Sequence, residues 1–218
     1  MMLENEAQAL DWLRGLVGVD DAAMSRLDQL VGLLAEENER QNLVSAASLG
    51  EVWRRHIADS AQLLLHVAAD PKGPWLDLGT GAGFPGLVIA ALRPDLEVIM
   101  IESRARRIGW LQHCVANLGL THARVIGERL ERVEDIPARV ISARAFAPLD
   151  RLLDLSARFS TSDTIWLLPK GRSARDEVNR LTGWDHVFHV EQSLTDPDAG
   201  VVVGTMAGRL PRKKARPG

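Results

Sequence analysis

Two carboxylates and a cluster of glycines carry the clearest chemistry in this chain of 218 residues. They lie in and just beyond WLDLGTGAGFPG, residues 75–86. Trp75, Leu76 and Leu78 read as a buried strand bounded by Pro74 and Gly79, and Gly79, Gly81 and Gly83 leave the backbone free to turn where a side chain would obstruct it. Pro85 then presets a helical φ, and Leu87, Val88, Ile89, Ala90 and Leu92 carry the apolar pattern of a helix start. A helix N-terminus behind a glycine turn favours anions or polar ligand edges, which marks a small-molecule site for a nucleotide-like cofactor. The run GAGFPG also satisfies the G-x-G-x-x-G dinucleotide fingerprint, so the glycines alone do not choose the cofactor. No G-K-[ST] follows the turn, which excludes a P-loop.

Asp77 narrows the choice. It sits inside the strand end, where its carboxylate opposes a pyrophosphate but suits a ligand carrying an ammonium and a sulfonium. The alternative role for it is a carboxylate that only caps backbone amides of the turn. Glu102 closes the next strand about 20 residues beyond the glycines, the position from which a carboxylate reaches both hydroxyls of a ribose. S-adenosylmethionine has both cationic groups, a ribose for Glu102 and an adenine for an apolar residue such as Leu130.

The elements that must position these groups follow from periodicity. Residues from about 3 to 68 read as helices. Asp20 or Asp21 caps a segment whose Met24, Leu27, Leu30, Val31 and Leu34 form a core-facing stripe. Ser48 with Glu51 reads as a capping box for a second helix through Ile57, Ala61, Leu64 and Leu65. On that helix His56, Asp59 and Ser60 share a face; a hydrolase triad is rejected, because there is no G-x-S-x-G elbow and one helical turn frames a nucleophile poorly. An exposed polar face, or a role in orienting the helices or touching substrate, remains for them. From the linker DPKGP, residues 70–74, strands and helices alternate: strands at 75–78, 96–101, 123–126, 139–143 and 164–168, helices after Pro85, at 105–118 and at 149–158. The close, 184–190 and 200–206, reads as an antiparallel edge hairpin. The expectation is an α/β fold with a doubly wound, mainly parallel seven-stranded sheet and an antiparallel edge strand, behind a helical N-terminal cap. The domain division expected is 1–70 for the cap, 71–208 for the cofactor-binding domain and 209–218 for a basic tail.

Composition bounds the rest. A content of 46% hydrophobic and 25% charged residues is ordinary for a globular protein. The single Cys114 excludes an intramolecular disulfide framework and a multi-cysteine zinc site, and no metal site is expected. No apolar run reaches membrane-spanning length and the first residues lack a basic leader with an apolar core, so the chain is expected to be cytoplasmic, with no membrane partner, and monomeric. A net charge of −3 does not mark the whole surface as a polyanion binder. Arginines do gather at Arg104, Arg106 and Arg107, at Arg139 and Arg144, and in the tail at Arg209, Arg212, Lys213, Lys214 and Arg216.

Taken in order, D-x-G-T-G-A-G-F-P-G, IESRARR, ERLE, SARAFAPL and LLPKG resemble the bacterial 16S ribosomal RNA guanine-N7 methyltransferase family, also called glucose-inhibited division protein B. The resemblance extends from NLVSA (42–46) and HIADS (56–60) to at least Gly171. It implies a Rossmann-like class I methyltransferase fold, S-adenosylmethionine as donor and N7 of a guanine in the 530 loop of 16S rRNA as acceptor, on naked RNA or the small ribosomal subunit. Carried over motif by motif, it implies cofactor contacts at Gly79, Phe84, Leu130, Glu131 and Arg144, to which the residue-level reading adds Asp77, Gly81, Gly83 and Glu102.

N7 of neutral guanine has a lone pair and no proton, so its attack needs no general base and the rate must come from positioning and desolvation. Arg144 and Lys170, just past the fourth and fifth strands, are expected to hold the guanine edge or its phosphate. His56, Arg104, Arg107, Arg212, Lys213 and Lys214 are expected RNA contacts. Two other classes share parts of the pattern: an NAD-dependent dehydrogenase on the same fold, and a non-enzymatic RNA-binding module of ribosome assembly.

Overall fold

A computed structural model describes residues 1–16, 18–68 and 72–211. The expected tail contacts Arg212, Lys213 and Lys214, and Asp70 and Pro71 of the linker, lie outside the described residues. The chain opens with α1 (Glu6–Arg14) and α2 (Asp21–Asn38), the latter capped by the Asp20 side chain. A short α3 (Ala46–Leu49) leads into one irregular helical run: a π-helical turn Trp53–Ala58, α4 (Asp59–Ala61) and a 3-10 turn Gln62–His66. The capping box expected at Ser48 and Glu51 does not form. Ser45 is the cap, accepting from the Ser48 amide at 3.1 Å, and Glu51 pairs with Arg54 at 2.8 Å. The π-helical turn has no side-chain cap in its own segment. The Glu6 carboxylate of α1 fills that role, accepting from the amides of Trp53 and Arg54 at 3.0 and 2.8 Å, which places an anion where helix-end N–H groups are otherwise unpaired.

Among the described residues nine strands follow: β1 (Trp75–Leu78), β2 (Val98–Ile101), β3 (Ala123–Ile126), β4 (Ala138–Ser142), β5 (Ser160–Lys170), β6 (Trp184–His186), β7 (His189–Gln192), β8 (Gly200–Gly204) and β9 (Met206–Arg209). Between them run α5 (Gly86–Leu92), α6 (Ala105–Asn117), α7 (Leu149–Ser156) and α8 (Ala174–Arg180). The main sheet has the order β3-β2-β1-β4-β5-β8-β7, with β1 paired parallel to both β2 and β4. All four residues of β1 and of β2 are buried, as a central parallel strand covered on both faces requires. Trp75, Val98, Met100 and Val140 face a core shared with α2, α5 and α6. Leu76, Leu78, Ile99, Ile101 and Ile141 face the opposite core, closed by α7. The N-terminal helices thus share a continuous core with one face of the sheet.

The expected antiparallel edge hairpin forms: β8 runs antiparallel to β5, and β7 pairs antiparallel to β8 as the outermost strand. Two features depart from expectation. The two closing strands each break in two, and their halves β6 and β9 form a separate two-stranded sheet. The break falls at Val187–Phe188 and at Thr205, just after Gly204; Gly204 has φ +154°, and a Cβ there would come within 2.6 Å of the Val187 carbonyl oxygen. α8 was not foreseen: ARDEVNR buries only Ala174 and offers no apolar stripe.

Candidate functional site

Strand order reverses beside β1, since β2 and β3 extend to one side and β4 and β5 to the other. Ligands of doubly wound sheets bind outside the carboxyl ends of the strands at such a point. Register builds the first feature there. Asp77 lies opposite Ser142 across the β1–β4 pair, and the Ser142 hydroxyl donates to Asp77 Oδ1 at 2.8 Å. Oδ2 accepts the Thr80 hydroxyl in a very short bond and the Gly86 amide at 2.9 Å. The Trp75 indole N–H donates to Ser142 at 2.8 Å, completing the chain. Asp77 is 0% exposed, and burial pushes its carboxyl above the usual range against the pull of those donors. Its oxygens therefore tie the glycine turn to two strands, and they do not open toward a ligand's cationic groups as the sequence suggested.

Gly79 turns at φ +63°, and a Cβ there would lie 2.2 Å from Phe146 Cδ2. No larger residue fits without moving that ring. Glu102 is nearly buried; its Oε2 accepts from Gly81 N at 3.0 Å and its Oε1 from the amides of Ser103 and Arg104 at 2.7 and 2.9 Å. One Oε2 lone pair stays available to a ligand hydroxyl.

A cavity of about 430 Å³ brings Gly79, Glu102, Leu130 and Glu131 together, roofed by Ala145 and Phe146, with Arg104 at its rim. Sequence reasoning overlooked Ala145 and Phe146, although they directly follow Arg144 at a strand end. Asp77, Gly81 and Gly83 stand behind this cavity and do not line it.

A second cavity, of about 420 Å³, lies between the N-terminal helices and the end of β5, where Arg55, His56, Asp59, Arg144 and Lys170 are among its walls. A third, of about 370 Å³, includes Thr80, Ala82, Phe84, His56 and Arg144. All three meet at Ala145, the one non-glycine residue with positive φ, +52°, among the described residues. Such a conformation is costly for a residue with a Cβ and persists only where neighbours enforce it.

Arg144 donates to Asp59 Oδ2 at 3.3 Å and to the Arg55 carbonyl at 3.4 Å, and its Nη2 lies 3.3 Å from His56 Nδ1. Its guanidinium carbon sits 5.2 Å from the centre of the Phe84 ring, on which His56 also stacks at 4.9 Å. Asp59 further accepts from Thr195 at 2.8 Å, and the Ser60 hydroxyl donates back to the His56 carbonyl at 2.6 Å. His56 and Ser60 are therefore buried, not part of an exposed polar face.

Lys170 departs from its expected task. Its ammonium donates to the Ala147 carbonyl at 2.7 Å and to Glu177 at 2.9 Å, while Glu177 also accepts the Leu149 amide at 2.8 Å. This lysine buckles the 144–149 segment to β5 and α8. Arg107 likewise donates to the carbonyls of Asn42 and Leu43 at 2.6 and 3.3 Å, joining α6 to the N-terminal helices, whereas Arg104 is exposed. No cluster of described residues is arranged to hold a metal ion.

A family model described as rRNA small subunit methyltransferase G matches residues 23–194. A protein of Novosphingobium aromaticivorans called ribosomal RNA small subunit methyltransferase G is 57% identical over 215 residues, covering 97% of this chain and 93% of the relative. One of the same name from Erythrobacter litoralis is 58% identical over 186 residues, covering 85% and 89%. Among solved structures, an S-adenosylmethionine-dependent methyltransferase from Aquifex aeolicus superposes with a TM-score of 0.54 at 15% identity, over 68% of this chain and 89% of that one. An RNA methyltransferase from Salinibacter ruber in complex with S-adenosyl-L-homocysteine gives 0.52 at 13% identity, over 72% and 95%. These likenesses and the strand order establish the Rossmann-like class I methyltransferase fold.

Proposed function

The chain belongs to the rRNA small subunit methyltransferase G family, and from that premise we propose that it transfers a methyl group from S-adenosylmethionine to N7 of a guanine in the 530 loop of 16S rRNA. One arrangement supports this above all: a cavity with the Glu102 carboxylate and the Leu130 side chain adjoins, through Ala145, a second cavity walled by Arg144 and His56. The donor, when bound, supplies an electrophilic methyl on a sulfonium.

The residues present fit that donor. Glu102 Oε2 accepts a ribose hydroxyl with its spare lone pair, Leu130 offers an apolar face to adenine, and Gly79 admits the ligand close to the backbone. Glu131 and Phe84 complete the set by the family resemblance, with Asp77, Gly81 and Gly83 as the brace of the turn. Guanine N7 has no proton to lose, so the chain supplies no base; Arg144, tethered by Asp59, fixes the pose of the base in the second cavity. Lys170 contributes by holding the Ala147 carbonyl and hence the segment that carries Arg144. Arg104, exposed beside the cavity, takes an RNA phosphate. The site of action is the ribosome-bearing cytoplasm, and no helix among the described residues is long and apolar enough to cross a membrane.

A dinucleotide fits less well. Its pyrophosphate would need amides of the glycine turn, and those of Gly81 and Gly86 are already bonded to Glu102 and Asp77. The test is direct: small subunits from cells lacking this modification, incubated with the protein and labelled S-adenosylmethionine, should gain 7-methylguanosine in the 530 loop with release of S-adenosylhomocysteine. Unmodified RNA under these conditions, or calorimetric binding of NAD in place of S-adenosylmethionine, would overturn the proposal.

A further inference from the structure

We propose that His56 selects the base: its Nε2–H donates a hydrogen bond to O6 of the target guanine while N7 faces the methyl donor. The inference rests on the function proposed above and deepens it. His56 is 8% exposed and lines both cavities on the acceptor side of Ala145. Its Nε2 is buried with no hydrogen-bond partner, one of three such side-chain atoms among the described residues. An unpaired buried donor is destabilising; Nε2 has almost no accessible surface with the wall as it stands, so a ligand oxygen satisfies it once that wall gives way to the incoming base.

The tautomer follows from the neighbour. A guanidinium only donates, so the 3.3 Å approach of Arg144 Nη2 to Nδ1 makes Nδ1 the acceptor and puts the proton on Nε2. Burial, with the charges of Arg144 and Arg55 beside it, pushes the imidazole pKa down to about 3, so the ring stays neutral. Asp59, the nearby carboxylate, is turned to Arg144 and does not contact the ring through a hydrogen bond. Stacking on Phe84, with ring planes 18° apart, fixes the plane of the imidazole, and the Arg144 contact at Nδ1 sets its rotation within that plane.

This is the donor that guanine requires. On the base edge that carries N7, guanine presents a second acceptor, O6, whereas adenine presents an amino donor. An Nε2–H pairs with the first and opposes the second, and a buried polar group left unpaired is a strong basis for rejection. Neutrality also matters. Guanine gains positive charge as N7 takes the methyl, and an imidazolium in contact would oppose that charge.

The test compares guanine with 2-aminopurine, which keeps N7 but lacks O6, placed at the target position of small subunits reconstituted with ligated 16S rRNA. The wild-type protein should methylate the guanine substrate about tenfold or more faster in kcat/KM, since one good base-edge hydrogen-bond contact discriminates on that scale. His56→Phe should lose most of that ratio with KM for S-adenosylmethionine nearly unchanged, and His56→Asn, which restores an N–H, should recover part of it. Equal slowing of both substrates by His56→Phe, or a raised cofactor KM in its place, would overturn the assignment. If the Phe variant fails to fold, the wild-type ratio decides alone, and equal rates on the two bases sink the idea. A wild-type protein that leaves guanine itself unmethylated refutes the underlying function, a result distinct from any of these.

Discussion

The two sides of Ala145 are built differently. On the glycine-turn side both oxygens of Asp77 and of Glu102 find short partners: Asp77 takes Thr80, Ser142 and Gly86, and Glu102 takes Gly81, Ser103 and Arg104. On the other side Asp59 and Lys170 are also held by short bonds, but those of Arg144 itself are long, 3.3–3.4 Å, and His56 Nε2 has none. The first side is rigid before any ligand arrives, which suits a small cofactor bound the same way at every turnover. The second keeps polar capacity in reserve, which suits a base that must be admitted, recognised and released.

The largest expected effect tests the rigid side. Asp77→Ala leaves three buried donors without an acceptor and should lower the unfolding free energy by about 3–5 kcal/mol. Asp77→Asn should cost far less, because burial already favours the uncharged form; equal losses in urea titrations would mean that charge, not acceptor geometry, holds the turn. On the other side, Arg144→Ala should reduce kcat for methyl transfer about 100-fold with little change in melting temperature, and an unchanged rate on small subunits would erase the distinction drawn here. Gly79→Ala should weaken S-adenosylmethionine about tenfold by calorimetry, because its Cβ collides with Phe146. Gly81→Ala meets nothing nearer than 3.8 Å and should show only the strain of φ +61°, about 1–2 kcal/mol.

The smallest effect is a slope. Folded His56 titrates near 3 and an unfolded histidine near 6.5, so between those values the unfolded chain binds more protons and unfolding free energy falls as pH drops. His56→Phe should flatten that slope by up to one proton. Wild-type and variant slopes that coincide between about pH 5 and 6 would show that the ring is free to protonate.

Legibility in the sequence tracks the same division. The strand WLDL, the turn and Glu102 are neighbours through local register, and alternation of buried strands with helices was enough to place them. Leu130 follows from the adenine's need for an apolar neighbour as well as from the family resemblance, Glu131 from the resemblance alone, and both reach the same cavity. What escaped depends on distant partners. Arg144 meets Asp59 across 85 positions and His56 across 88. Lys170 reads as a substrate contact in the sequence because nothing local shows that Ala147 and Glu177 claim its ammonium. Ser45, not Ser48, caps α3 because Asn38 accepts the amides of Leu43 and Val44, turning the chain ahead of it. The closing strands split because Gly204 lets two backbones nearly touch, a tertiary fact with only one glycine as its signal.

Glu6 holds the amides of Trp53 and Arg54 in the helical turn that carries His56, and Leu3 N–H bonds the Leu194 carbonyl at 2.7 Å, so the N-terminal segment is tied to the loop between β7 and β8. This sets an order of assembly during synthesis. Residues through Phe146, which complete the Glu102 cavity, leave the ribosome while Ser193, Thr195 and Val201 are still to be added, on the order of seconds later at ordinary elongation rates. The acceptor side, with Thr195 yet to reach Asp59, thus closes after the Glu102 cavity.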